Sequence, residues 1–215
     1  MSIKNHQLPN VINHDLNMST KLKITTITQH KMAPITIETE RLLLKGITPS
    51  LIHELFTTKT KQELMVFFGF DEDGYLHIKS MHEKGMETHI ISLFYFLLID
   101  KQSNLPIGEC GFHTWNLKHK RAELFYKLYK DSDKRKGYMT EAVKVVLEYG
   151  FTQLNLHRIA AMVANSNTPS VKLVSNNKFT FEGTMREDYN VNEINEDSEC
   201  YSLLKTEWEQ SKGSV

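Results

Sequence analysis

The chain has 215 residues, 40% hydrophobic and 24% charged, a composition typical of globular proteins and not of disordered or fibrous ones. Its 26 basic and 26 acidic residues balance, so no overall field draws it to nucleic acid or to an anionic membrane. Cys110 and Cys200 lie in no CxxC or Cys/His pattern, which argues against disulfides and zinc and favours a reducing cytoplasm. We expect no metal, no nucleic-acid partner and no membrane partner.

The first 33 residues are polar and aperiodic, and we interpret them as an N-terminal extension before a domain that spans residues 34–211. Their opening stretch has no apolar core of the secretory-signal type, which favours a cytoplasmic location. The apolar run Ile90–Ile99 is far shorter than the ~20 residues that cross a bilayer. We therefore interpret it as a core strand. We expect a monomer or a homodimer.

Strands and helices follow from Ile35 onward. The segment ITIETERLLLKGI alternates as a strand does, and Thr48 and Pro49 are typical of the start of a helix. A second helix is predicted from about Leu76 to Glu87. The segments ISLFYFLLI, IGECGFHTW and RAELFYKLY then predict three strands of an antiparallel meander.

The second half of the chain predicts a crossover connection. After Gly137 apolar residues recur at helical spacing as far as Leu154, and the strand RIAAMVA follows. Asn167 and Pro169 favour a further helix, and strands around FTFEGTM and CYSLLKT close the domain. The strand, helix and strand within residues 121–164 require a locally parallel pair. We predict an α/β (α+β) fold with a mixed, mostly antiparallel sheet of six or seven strands and helices on both faces.

The segment KRKGYMTEA lies between a strand and a helix and is a candidate phosphate site. The first N–H groups of a helix lack intrahelical partners and carry partial positive charge, so they attract anions. Gly137 lets the backbone approach a ligand, and three adjacent cations add attraction. On this segment alone, a solvated basic turn is the simpler interpretation, because the further glycines of a Walker loop or a GxGxxG motif are missing.

Five segments, in order from Ile35 to Trp208, resemble the GNAT acetyltransferase superfamily, specifically its ribosomal-protein-acetylating RimJ/RimL branch. IETERLLLKGI resembles the first strand, RAELFYKLY the central strand and KRKGYMTEAVKVVLEYGF the acyl-CoA loop and helix. LHRIAAMVANSNTPSVKLVSNNKFTFEGTMRE resembles the next passage, and CYSLLKTEW resembles the closing strand. The resemblance implies an acetyl-CoA-dependent N-acetyltransferase. Its acceptor would be a primary amine, either a protein N-terminal α-amine or a small molecule such as a polyamine.

The resemblance also implies a cofactor site around the loop. The family pattern [QR]-x-x-G-x-[GA] keeps Gly137 here but has Lys134 and Met139 at its ends. A backbone N–H near Leu128 or Tyr129 would stabilise the oxygen that gains negative charge. The predicted cofactor-binding residues are Leu128, Tyr129, Lys134, Arg135, Lys136, Gly137, Tyr138, Met139, Thr140, Asn167, Ser170 and Lys172.

Glu123 and Ser170 are the catalytic candidates. Glu123 lies in the middle of an apolar strand, where partial burial would raise its pKa toward that of a general base. An ion pair with Lys120 or Arg121 at a strand edge is an equally strong interpretation. Ser170 lies one residue past Pro169, where a capping role is less natural, so we favour it as a donor to the sulfur.

Other polar positions have simpler interpretations. Asn167 belongs to the family's N-x-x-S pattern, yet a helix cap explains it without any ligand. His113 and residues 187–189 lie where this branch lines the acceptor cleft, and we assign neither a catalytic role. Many GNAT enzymes carry a tyrosine that protonates the departing thiolate, and Val174 stands in its place. Val174, Met139 and Lys178 leave open an alternative function, a non-catalytic acyl-CoA-binding module.

Overall fold

Eight strands and six helices make up the part of the chain that the computed structural model describes, residues 35–213. The predicted N-terminal extension, residues 1–33, lies outside the described residues. The strands are β1 (Thr36–Glu38), β2 (Leu42–Ile47), β3 (Ile91–Asp100), β4 (Leu105–Asn116), β5 (Arg121–Leu128), β6 (Arg158–Ala164), β7 (Thr180–Val191) and β8 (Ile194–Leu204). The helices are α1 (Pro49–Thr58), α2 (Lys61–Phe68), α3 (Glu72–Lys84), α4 (Tyr138–Thr152), α5 (Thr168–Asn176) and α6 (Lys205–Lys212).

The strands form one sheet in the order β1-β2-β3-β4-β5-β6-β8-β7, and every neighbouring pair except β5–β6 is antiparallel. The predicted mixed sheet is confirmed, with eight strands rather than six or seven. One added strand arises because the opening pattern, predicted as a single strand, turns back on itself. Thr39 closes that turn, since its N–H donates to the Leu42 carbonyl at 2.9 Å and its hydroxyl accepts from the Leu42 N–H at 3.1 Å.

The helices before β3 differ in detail from the prediction. Thr48 caps α1 and Pro49 opens it, as predicted. The unpredicted α2 begins with a capping box between Thr60 and Glu63 and ends at a left-handed glycine. Asp71 caps α3, which therefore begins four residues before the predicted start. After β8 the chain also continues into the unpredicted α6.

Helices cover both faces of the sheet, as predicted. One hydrophobic cluster joins the sheet to α4 and α5, and a second joins the other face to α1, α2 and α3. The central strand β3 is buried on both faces, with Phe94 and Phe96 in the first cluster and Tyr95 and Leu97 in the second. Within residues 35–213, no helix is both long and apolar enough to cross a membrane.

The parallel pair β5–β6 is short, and it creates the site. The pairing runs only from Arg121 opposite Arg158 to Glu123 opposite Ala160. Beyond Glu123 the two strands diverge, while β5 stays paired with β4 as far as Leu128 and α4 connects β5 to β6 as a crossover. Backbone groups on the facing edges of β5 and β6 therefore border a gap instead of a neighbouring strand.

Side-chain hydrogen bonds connect β6, β7 and β8, the strands on the far side of the gap. Arg158 on β6 makes two hydrogen bonds of 2.6 Å to Glu182 on β7, and Ser202 on the intervening β8 donates to the same carboxylate. These contacts lower the pKa of Glu182 to about 2. The second part of the sheet is thus held together by its own polar contacts.

Candidate active site

A cavity of about 810 Å³ lies between the end of β5 and the first turns of α4 and α5, and we call it the loop cavity. It brings together ten of the twelve predicted cofactor-binding residues. Those ten are Leu128, Lys134, Arg135, Gly137, Tyr138, Met139, Thr140, Asn167, Ser170 and Lys172. Tyr129 and Lys136 are not among its lining residues. The predicted cluster therefore exists as one surface, with two exceptions.

Gly137 gives the loop cavity an open helix N-terminus. Gly137 is the N-cap of α4 with a φ of +83°, and no side chain caps this helix. The first intrahelical bond runs from the Glu141 N–H to the Gly137 carbonyl at 3.1 Å, so the preceding amides lie before the ladder begins. A side chain at a position with this φ is strained, which explains why glycine stands here. The arrangement fits an anion such as a pyrophosphate.

The loop lysines contribute less charge than the sequence indicates. Lys134 lies 2.6 Å from the Asp131 carboxylate, and Lys136 lies 3.7 Å from the Asp133 carboxylate. These ion pairs form because a short 3₁₀ turn, Asp131–Asp133, folds back on the segment after it. Two of the three loop cations are therefore paired with carboxylates of the same loop.

Arg41 holds the loop in place, a contact that the sequence did not reveal. Its guanidinium Nε lies 2.8 Å from Glu141, and its Nη1 donates to the Lys136 carbonyl at 2.7 Å. The Arg41 backbone N–H and the Thr39 hydroxyl donate to the other oxygen of Glu141. The guanidinium also lies 4.8 Å from the centre of the Tyr138 ring. The turn between β1 and β2 thus fixes the start of α4.

The second cavity, about 240 Å³, fills the divergence between β5 and β6, and we call it the strand gap. Just after β5, the Tyr129 N–H points away from the strand gap and donates to the Ile107 carbonyl at 2.9 Å. Because backbone groups alternate along a strand, those of Tyr126 and Leu128 face the gap side. Tyr129 is therefore unavailable as the predicted oxyanion donor, and Leu128 remains available.

Glu123 lies at the end of the parallel pairing and lines the strand gap. Its carboxylate is 3.5 Å from Nε2 of His113, so its ionic neighbour is this histidine rather than Lys120 or Arg121. Burial raises the pKa of Glu123, the nearby His113 opposes the rise, and the charge of Asp188 adds to it. A partly buried carboxyl with a raised pKa can serve as a general base.

Ser170, Asn167 and Tyr126 lie where the strand gap meets the loop cavity, since all three line both. Asn167 caps α5 by accepting from the Ser170 N–H at 3.2 Å, as its simpler interpretation predicted. Burial raises the pKa of Tyr126, and a hydrogen bond with Ser170 opposes that rise. Val174 is 1% exposed and packs in the core, so this position of α5 faces away from the cavities. Sequence reasoning did not single out Tyr126.

A third cavity, about 700 Å³, lies on the opposite face of the sheet beneath α3, and we call it the α3 cavity. His113 and Phe125 line both this cavity and the strand gap. Tyr189, expected in the acceptor cleft, lines the gap. The three cavities therefore follow one another along β5. Across residues 35–213, no group of three or more His, Cys, Asp or Glu side chains is placed to hold a metal ion.

The profile of the acetyltransferase (GNAT) domain matches residues 41–180 of this sequence. The chain belongs to the GNAT acetyltransferase family. The match spans the loop, the strand gap and both of its strands, so the family resemblance read from the sequence is confirmed. GNAT enzymes use acetyl-CoA as cosubstrate, and the GNAT fold agrees with the mixed sheet described above.

Individual relatives agree with the family. The chain is 40% identical over 113 residues to the uncharacterized N-acetyltransferase p20 of Bacillus licheniformis, covering 53% of this chain and 63% of p20. It is 29% identical over 139 residues to the spermidine N(1)-acetyltransferase of Vibrio cholerae, covering 65% and 75%. The crystal structure of ribosomal-protein-S5-alanine acetyltransferase from Vibrio fischeri matches with a TM-score of 0.58 and 23% identity, covering 81% and 98%. At 23% identity, the match to this crystal structure supports the fold alone.

Proposed function

We propose that this GNAT protein transfers the acetyl group of acetyl-CoA to a primary amine by direct attack within the strand gap. The loop cavity would bind acetyl-CoA and the α3 cavity would bind the amine. The observation that carries the proposal is the continuity of the three cavities. Tyr126 and Ser170 belong to both the loop cavity and the gap, and His113 and Phe125 to both the gap and the α3 cavity.

Binding of the cosubstrate would rest on the backbone. The amides of Tyr138, Met139 and Thr140 at the start of α4 would hold the pyrophosphate, with the positive end of the helix dipole behind them. Lys172 lines the same cavity and is exposed, which supports the proposal that it contacts a more distal phosphate. When bound, acetyl-CoA supplies an acetyl group activated as a thioester.

The acceptor amine must lose a proton as its nitrogen forms the new bond. Glu123 is the proposed acceptor of that proton, because it lies in the gap and its raised pKa favours proton uptake. The backbone N–H of Leu128 is the proposed donor to the oxygen that gains negative charge. Both groups are on β5, so a single strand would orient proton acceptor and oxyanion donor together.

The leaving sulfur requires a proton, and Tyr126 is placed to give it. Val174 cannot, since it has no acidic proton and packs in the core. The raised pKa of Tyr126 keeps its hydroxyl protonated at neutral pH, and Ser170 can donate to the phenolate formed after transfer. Ser170 would thus support the donor rather than act as the donor itself.

Replacement of Tyr126 by phenylalanine keeps the ring and removes the hydroxyl. We expect kcat to fall by about 100-fold, because general acid catalysis contributes factors of this order, while the KM for acetyl-CoA changes little. Activity with p-nitrophenyl acetate, whose leaving group needs no proton, should fall far less. Tyr149→Phe is the matched control, since this tyrosine packs against Phe94 and Phe96 away from the gap. Equal losses with both acyl donors would exclude Tyr126 as the proton donor.

Release of free CoA thiol tests the function as a whole. The protein should release CoA from acetyl-CoA only when a suitable amine is present, and mass spectrometry should find the acetyl group on that amine. The panel should contain peptides with free N-termini and small amines, including spermidine, the substrate in the name of one relative. Tight CoA binding without thiol release for any amine would favour the non-catalytic acyl-CoA-binding module. We also propose that the reaction takes place in the cytoplasm, in keeping with two free cysteines.

A further inference from the structure

A carboxylate that forms no ion pair with any other residue of 35–213 lies under α3, away from the proposed reaction centre. Glu109 lines the α3 cavity from β4 and is partly buried. Within the described residues it makes no salt bridge, even though Lys127 is its neighbour across the β4–β5 ladder. Burial raises the pKa of Glu109, and the charge of Lys127 and the Tyr129 hydroxyl oppose the rise. A partly buried charge without a close counterion is costly, so its presence requires a reason.

The Tyr129 hydroxyl is a second unsatisfied group in the same place. It is buried and has no hydrogen-bond partner within the described part of the chain. Burial, and then the charge of Glu109, raise the pKa of this hydroxyl, so the two groups lie close together in the cavity. Buried polar groups almost always have partners, so an unsatisfied hydroxyl beside a carboxylate in a cavity indicates a ligand that donates hydrogen bonds.

We propose that Glu109 and Tyr129 bind a positively charged amino group of the acceptor, other than the one that is acetylated. The acceptor would therefore be a polyamine, a flexible apolar chain with at least two amino groups. This inference rests on the proposed acetyl transfer and names its substrate class. An ammonium group donates hydrogen bonds to both oxygens and neutralises the carboxylate.

The proposed ammonium-binding position at Glu109 lies several residues along the strands from the reaction centre at Glu123. Glu109 pairs with Lys127 and His113 pairs with Glu123 in the same ladder, so the two positions are four residues apart. At about 3.3 Å per residue, this corresponds to ~13 Å along the strands. The proposed proton acceptor, Glu123, lies in the strand gap, so the attacking nitrogen belongs there and the second, protonated amino group belongs at Glu109.

The walls between the two positions fit an alkyl chain. Phe70, Ile78 and Met81 come from the helical side of the α3 cavity, and Leu93 and Phe125 come from the sheet. Asp71 and Asp73 add negative charge at the start of α3, and Lys127 on β5 and Lys130 just after β5 add positive charge. Apolar walls with acidic groups beyond them match a chain of methylene groups that carries cationic ends.

The test compares spermidine with 1-aminobutane, which has one amino group, at saturating acetyl-CoA. We expect the wild-type protein to have at least tenfold higher kcat/KM for spermidine. Glu109→Gln should raise the KM for spermidine at least tenfold, with kcat within twofold, and change 1-aminobutane kinetics less than twofold. Glu83→Gln removes an acid from the exposed side of α3, where Glu83 faces Lys79, and should change neither.

Calorimetry without acetyl-CoA gives a second readout. Spermidine should bind the wild type at least tenfold more tightly than Glu109→Gln, and Tyr129→Phe should weaken binding as well. Glu109→Gln should unfold at the same or a higher temperature, because it removes an unpaired charge.

If Glu109→Gln fails to fold, the comparison of spermidine binding by the wild type and by Tyr129→Phe decides. If Glu109→Gln changed the kinetics of spermidine and of 1-aminobutane equally, the polyamine inference would be wrong and the proposed acetyl transfer would be unaffected. Weakened spermidine binding with no CoA release from any amine would overturn acetyl transfer alone.

Discussion

Gly137→Val is expected to lower the affinity for CoA at least tenfold, the largest binding effect in the loop. A tenfold loss corresponds to ~1.4 kcal/mol. Gly137 has a φ of +83°, which a β-branched residue adopts at a cost, and valine would place methyl groups beside amides that we assign to the pyrophosphate. Calorimetry with CoA measures the effect. Dephospho-CoA keeps the pyrophosphate and lacks the 3′-phosphate, so both ligands should lose affinity alike.

Two variants separate the loss of the site from general strain. Gly85 also has a positive φ, +90°, and open space around it, so Gly85→Val strains the backbone without touching the loop cavity. Its affinity for CoA should stay at the wild-type value. Lys136→Ala removes an exposed cation already paired with Asp133, so affinity should fall less than threefold. A folded Gly137→Val protein with wild-type affinity would return this segment to its simpler interpretation, a solvated basic turn.

Glu123→Gln should lower kcat by 100-fold or more, since a general base contributes factors of about 10² to 10⁴. Activity requires ionised Glu123, so the rate should rise with pH through the raised pKa of this group in the folded protein. The variant should lose that limb of the pH–rate profile and keep the limb that belongs to the acceptor amine. Affinity for acetyl-CoA should stay close to the wild type. An unchanged pH–rate profile would remove Glu123 from the mechanism.

Thermal unfolding supplies a control for Glu123→Gln. The folded state raises the pKa of this carboxyl, so above that pKa its ionised form destabilises the fold relative to the unfolded chain. Removal of the charge should therefore raise the melting temperature at neutral pH while activity falls. Glu148→Gln, which replaces an exposed acid paired with Lys212 on α6, should alter neither activity nor the pH–rate profile. A lower melting temperature for Glu123→Gln would indicate a structural role.

Much of the fold could be predicted because its elements carry local signals. The helix after Gly137, the buried strand over residues 91–100 and the crossover between β5 and β6 all follow from periodicity and caps. The short α2 could not, because eight residues offer little more than two turns of periodicity. The turn at Thr39 was equally hidden, since its residues suit a strand and only their contacts with Glu141 and Leu42 show otherwise.

The candidate residues could be predicted where they are consecutive in the chain, and they were missed where only tertiary contacts bring them together. Gly137 and its neighbours are adjacent in the chain, so one segment reveals them. Tyr126 and Glu109 lie within apolar strands, where alternation alone does not tell a core position from a cavity wall. Their exposure depends on where β5 separates from β6 and on how α3 covers the sheet. The role of Arg41 depends on a contact with a residue 100 positions away.

The short parallel pairing of β5 with β6, which we call the seam, also determines where the sheet can bend. Three residue pairs join the plate formed by β1 to β5 to the plate formed by β6, β8 and β7. The first plate is stiffened by long antiparallel ladders, and the second by the Arg158–Glu182–Ser202 brace. Relative rotation of the plates therefore strains the fewest hydrogen bonds when it occurs at the seam. Rotation at this position would change the width of the strand gap while the strand pairings within each plate stay intact.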